Sequence, residues 1–140
     1  MSRVINPDSA GKLRTQLTKA VVLAIRELMK QGEPNQTTRD LAAFIGTSLL
    51  TIAETIETSV QAWEKRGYWV KADRFRMEWD WAGTSGQAMV NAVLSDDWMQ
   101  VAMLSAKIAQ KFNKITIAEH HRIGTPWVGA WDNLKKSTGK

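Results

Sequence analysis

The chain has no cysteine, which excludes disulfide frameworks and thiolate metal sites. Histidine is nearly as scarce. The two present, His120 and His121, are adjacent, so on a helix they point about 100° apart and cannot chelate one ion together. Glu119 beside them makes no metalloprotease spacing. No Gly-x-x-x-x-Gly-Lys loop is available to cradle phosphates, and Gly83-Thr84-Ser85-Gly86 has the look of a flexible joint instead. The longest apolar run, Ala20 to Ile25, is far too short to cross a bilayer. The opening MSRVINPDSAGK lacks the apolar centre of a secretory signal. Together these absences lead us to expect a cytoplasmic protein without membrane anchor, metal or cofactor. No motif places a nucleophile, and no carboxylate pair stands beside a histidine. An enzyme is therefore not expected, and His120, His121 and Glu119 would be the first residues to consider if one existed.

What is present is a 140-residue chain that is 44% hydrophobic, enough for one cored domain or a small domain with an extension. Seven tryptophans each bring a large apolar surface that must be covered within the monomer or by a partner. The net charge of +5 favours nucleic acid as a partner, and its distribution is uneven. Residues 1–30 carry Arg3, Lys12, Arg14, Lys19, Arg26 and Lys30 against Asp8 and Glu27. Residues 31–64 carry Arg39 alone against Glu33, Asp40, Glu54, Glu57 and Glu64.

Periodicity divides the chain into elements. Residues 1–8 read as an arm. A helix from about Ser9 to Lys30 places Leu13, Leu17, Val21, Ile25 and Leu28 on one stripe, with Lys12, Lys19, Arg26 and Lys30 on or near the other side. That basic side either is solvated or lies along a phosphate backbone. Gln31-Gly32-Glu33-Pro34-Asn35 is a break. A short helix capped by Thr37 or Thr38 follows, and Gly46 stands where a helix end needs a left-handed residue. Thr47 or Ser48 opens a longer helix through Ile52, Ile56, Val60 and Trp63, which Gly67 stops. Phe75, Met77, Trp79 and Trp81 then alternate with Arg76, Glu78 and Asp80, the period of a half-buried strand. Beyond the glycine joint, Ala88 to Leu94 reads as helix. Ser95-Asp96-Asp97 starts another, with Trp98, Val101, Leu104, Ile108 and Phe112 as its stripe. That helix either completes the core or forms a dimer seam. Thr125-Pro126 opens a last helix carrying Trp127, Trp131 and Leu134.

The order helix, turn, helix, ribbon over residues 37–81 resembles the winged helix-turn-helix family of bacterial transcription regulators. The resemblance rests on Thr38-Arg39-Asp40-Leu41-Ala42, Ile45-Gly46-Thr47-Ser48, Thr51-Ile52 and Lys65-Arg66-Gly67-Tyr68. It implies a mostly α fold with a small β-hairpin and extra C-terminal helices: a winged-helix domain at 1–82, and a helical extension at 87–137 that packs on it or dimerises. It also implies double-stranded DNA as partner and a homo-oligomer. Ser48, Thr51 and Thr55 would then face bases, and Lys71, Arg74 and Arg76 at the ribbon tip would meet phosphates.

Two features depart from the family. Ser48 to Thr58 contains no Lys, Arg, Asn or Gln, the usual readers of guanine and adenine. The second helix is also about one turn longer than is usual. The alternative is a winged-helix scaffold used as a protein-protein interaction module, docking a partner at Leu49 and Leu50.

Overall fold

A computed structural model describes residues 6–139. Residues 1–5, which include Arg3 and most of the expected arm, and Lys140 lie outside the described residues. The elements are α1 (Pro7–Met29), α2 (Gln36–Lys65), α3 (Trp69–Leu94), α4 (Trp98–Lys111) and α5 (Ala130–Ser137).

Local chemistry sets each start. The Asn6 side chain accepts from the Asp8 N–H at 2.9 Å and Pro7 occupies the first turn of α1, where its missing donor costs nothing. Asn35, not Thr37 or Thr38, caps α2. Its side chain accepts from the Thr38 N–H at 2.9 Å, and the Thr38 hydroxyl accepts from the Asn35 N–H at 3.3 Å, a reciprocal capping box. Asp97 caps α4 through the Gln100 N–H.

α2 is the central element. Leu41, Ile45, Leu49, Ile52, Ile56 and Val60 recur every three or four residues and are all buried. It packs chiefly on α3 and α1, and further on α5. Of the described helices it alone is long and apolar enough to cross a membrane, but 56% of its apolar window is buried inside the protein. Its apolar face is used within the fold.

The three long helices alternate in direction. Trp63 meets Phe75, Glu57 meets Arg76, Ala53 approaches Gly83 and Gly46 approaches Gly86, so α3 runs back along α2. Arg14 meets Thr55 and Ser59, while Leu28 and Thr38 border one cleft at the opposite end, so α1 does the same.

The expected winged helix-turn-helix is corrected by this architecture. The chain is mostly helical, but α2 runs unbroken through Gly46-Thr47-Ser48. The expected ribbon is the first half of α3, and no strand occurs among the described residues. The reason lies in the length of the pattern. Phe75 and Trp79 satisfy a period of two and a period of 3.6 equally. Ala72, Phe75, Trp79, Ala82, Gly86, Met89 and Val93 together satisfy only the helical one. Met77, needed by the strand pattern, is 72% exposed. The expected ribbon tip, around Ala72-Asp73-Arg74 between Lys71 and Arg76, also lacks the glycine or asparagine that a tight hairpin turn requires.

The two glycines read as a helix end and a joint have a different task. A Cβ on Gly46 would lie 2.9 Å from Val90 Cγ2, and one on Gly86 would lie 3.0 Å from both Gly46 O and Leu50 N. Both sit inside helices because α2 and α3 approach backbone to backbone there. That closeness offsets the roughly 1 kcal/mol a helical glycine costs.

After α4 the chain runs without regular structure until α5, with Trp127 and Leu134 buried. Thr125-Pro126 does not open the last helix. α5 begins at Ala130, after Gly129 at φ 85°.

Candidate functional site

The six residues expected to contact DNA fall in different settings. Ser48 and Thr55 are buried. Thr51 is half-buried, with its hydroxyl donating to the Thr47 carbonyl at 3.2 Å. The Thr55 hydroxyl donates to the Ile52 carbonyl at 2.6 Å. In the continuous α2, Ser48 and Thr55 face the core and Thr51 is only partly open to solvent. Lys71 is exposed, with its ammonium 4.4 Å from the Trp63 ring centroid. Arg74 is exposed as well. Arg76 is held by three carboxylates: Glu57 at 3.1 Å, Glu64 at 3.5 Å and Asp73 at 3.7 Å. Its hydrogen bond to Glu57, followed by the charges of Glu57, Glu64 and Asp73, outweighs desolvation and holds the guanidinium above its ordinary basicity. The alternative docking residues also change place. Leu49 is fully buried, and Leu50 is half-buried against the core.

Cationic and aromatic groups converge elsewhere, where the first half of α1, the middle of α3 and the end of α4 meet. A cavity of about 430 Å³ is lined there by Arg14, Thr18 and Lys19 of α1, by Glu78, Trp79 and Trp81 of α3, and by Lys111 and Phe112. It adjoins a second hollow of about 470 Å³ that shares Trp81 and Lys111 and adds Ser85, Lys107 and Gln110. Among the described residues the resulting cleft carries four cations, Arg14, Lys19, Lys107 and Lys111, against the single carboxylate of Glu78.

Its wall is a connected row of rings. Trp79 and Trp81 stack at 5.9 Å with an interplanar angle of 20°. Phe112 sits 6.1 Å from Trp79 and 5.3 Å from Trp81. Phe75 continues the row to Trp63 at 5.0 Å. The Lys111 ammonium lies 5.7 Å from the Trp81 centroid, near enough for a cation–π attraction.

Arg14 is the unusual member. Its guanidinium makes three long hydrogen bonds, to the Thr55 carbonyl and hydroxyl at 3.3 Å each and to the Ser59 hydroxyl at 3.4 Å. It also lies 4.9 Å from the Phe75 centroid. No carboxylate pairs with it among the described residues. Burial pushes its pKa down, the sign of a charge held without a compensating acid.

The periodicity of α1 contained a trace of this site. Arg14 falls four residues after the buried Ala10 and seven before the buried Val21, so it is a charge on the apolar stripe. Lys111 and the two tryptophans carry no comparable mark, because their meeting depends on how α3 and α4 pack.

None of the family models, curated proteins or solved structures compared with the chain matches it. The described residues define a five-helix fold with a cationic, aromatic-walled cleft.

Proposed function

We propose that this is a nucleic-acid-binding protein of the cytoplasm, a binder and not an enzyme, that takes a single-stranded segment into the cleft between α1, α3 and α4. The observation that carries the reading is the Trp79–Trp81 stack flanked by Arg14, Lys19, Lys107 and Lys111. Unpaired bases stack on aromatic side chains while a basic groove follows the phosphates. A duplex keeps its base faces stacked inside and offers such a wall only its backbone. The winged-helix mode of reading a major groove has no place in this proposal.

The test is anisotropy of a labelled oligothymidine and of a duplex of equal length, each titrated at several salt concentrations. The single strand is expected to bind more tightly. Its log affinity should fall with log salt at a slope near −3, for four phosphate contacts at about −0.7 each. A Lys19→Glu, Lys111→Glu double variant, altered at two exposed positions, should lose most of that binding and remain folded. Equal binding of duplex and single strand, or none at low salt, would sink the proposal.

A second reading has its own observation. Tyr68, Trp69, Val70 and Met77 are exposed around the start of α3, Trp69 by 60%, and large exposed apolar groups in one place mark interaction surfaces. On this reading the protein forms a homo-oligomer through that end of α3. Light scattering of the wild type and a Trp69→Glu, Val70→Glu variant tests it: a dimer that the variant converts to monomer supports the reading, and a monomeric wild type removes it.

A further inference from the structure

We propose that a separate cleft, between the end of α1, the α1–α2 connection and the start of α4, is a binding site for a small, neutral, mainly apolar molecule carrying one hydrogen-bonding group. The cleft has a volume of about 310 Å³ and shares no lining residue with the cationic cleft. Leu28, Met29, Pro34, Trp98 and Val101 make its walls apolar. That volume is at the small end of ligand pockets, which run from about 300 to 1,000 Å³, and suits a molecule of one or two rings.

Ser105, also in the lining, is the feature that points to a ligand. It is 4% exposed, and its hydroxyl has no hydrogen-bond partner among the described residues. The other helices of this chain show what such a hydroxyl ordinarily does. Thr15, Thr18, Thr47, Thr51 and Thr58 each donate to the carbonyl four residues earlier, at 2.7 to 3.2 Å. Ser105 makes no such bond to Val101, although α4 is regular around it. A buried hydroxyl without a partner costs stability, and a turn about χ1 that brings the shielded oxygen to a ligand hydroxyl or carbonyl in the cleft removes that cost.

The surroundings define the charge of the occupant. Among the described residues no Lys or Arg lines the cleft and Glu33 is its one ionisable group, so a carboxylate or phosphate finds no counter-charge there and meets a negative one. The Thr38 hydroxyl is already engaged in the capping box. Trp98 is held in place by Arg39, whose guanidinium lies 5.8 Å from the ring centroid and pairs with Asp96 at 3.6 Å. That contact helps orient the Trp98 ring, which lowers the ordering cost of stacking on it.

Naphthol and naphthalene, the same two-ring skeleton with and without a hydroxyl, are the probes. Each is titrated into the whole chain while the Trp98 indole N–H resonance, assigned with a Trp98→Phe variant, is followed by NMR. Naphthol is expected to shift it saturably and to bind about tenfold more tightly than naphthalene, the effect of one hydrogen bond. Ser105→Ala should abolish that preference while naphthalene still binds. Ala102→Phe, placed at an exposed rim position, should block both probes. The inference is overturned if naphthol causes no saturable shift of Trp98, or if the preference for naphthol survives in Ser105→Ala.

Discussion

The carboxylate of Asp40, buried on α2, accepts the backbone N–H of Trp131 in α5 at 2.9 Å, and its second oxygen accepts from Gly129 at 3.3 Å. Gly129 stands at the N-cap of α5 and has no side chain with which to cap. Asp40 does that work from 91 positions away in the chain, and its negative charge faces the positive end of the helix.

Replacing Asp40 with Ala therefore removes the cap of α5 and leaves its first N–H groups without a partner. The loss should be about 1–2 kcal/mol, in the range of N-cap substitutions. Thermal melts would register it, and hydrogen exchange would accelerate first over residues 130–137. Protection there equal to wild type would show that the capping is dispensable.

Gly86→Ala and Gly83→Ala should move stability in opposite directions, although only three positions separate them. The new methyl at 86 would press on Gly46 O, Leu49 Cβ and Leu50 N, all at 3.0 Å, where backbone cannot yield. A loss of about 1–3 kcal/mol follows from such overpacking. At 83 the nearest atom is Ala53 Cβ at 3.5 Å, an ordinary contact, and helix propensity alone should add about 0.5–1 kcal/mol. Paired denaturant titrations read both values.

Ser105→Ala should stabilise the ligand-free protein by about 1 kcal/mol, because it deletes a buried hydroxyl that has no partner. A lowered Tm would mean that the hydroxyl is satisfied in solution.

Arginines 14 and 76 should separate cleanly in nucleic-acid binding. Arg14→Met keeps much of the packing against α2 and removes the unpaired charge. It should weaken single-strand binding and make the salt slope shallower by about 0.7. Arg76→Ala breaks only ion pairs at the surface, where such pairs contribute little. Binding should be unchanged, as should the melt. Weakened binding in Arg76→Ala would place the contact surface on the other side of α3.

The helical content was legible because apolar residues recur at three- and four-residue intervals over long stretches. The break between α1 and α2 was legible because Gly32 and Pro34 punctuate it. The helix-turn-helix reading failed at Gly46. A glycine that ends a helix and one that admits a neighbouring backbone look alike until the partner, here Gly86 and Val90, is known. The ribbon failed for a related reason: seven residues cannot separate two periods that coincide at Phe75 and Trp79. The basic residues of the cleft were each visible, but they come from α1 and α4, and only the packing of three helices brings them to one wall of rings.

The bond between Asp40 and Trp131 also sets an order of assembly. The helices α1, α2 and α3 are joined by short connections, so each can pair with its neighbour as soon as both exist. α5 has no such neighbour and docks on a helix made long before it. During synthesis Asp40 waits, buried or burying, for donors that arrive about ninety residues later. A ribosome-bound chain stopped before Gly129 should therefore hold its first four helices while the Asp40 carboxylate still lacks the two backbone donors of the α5 start.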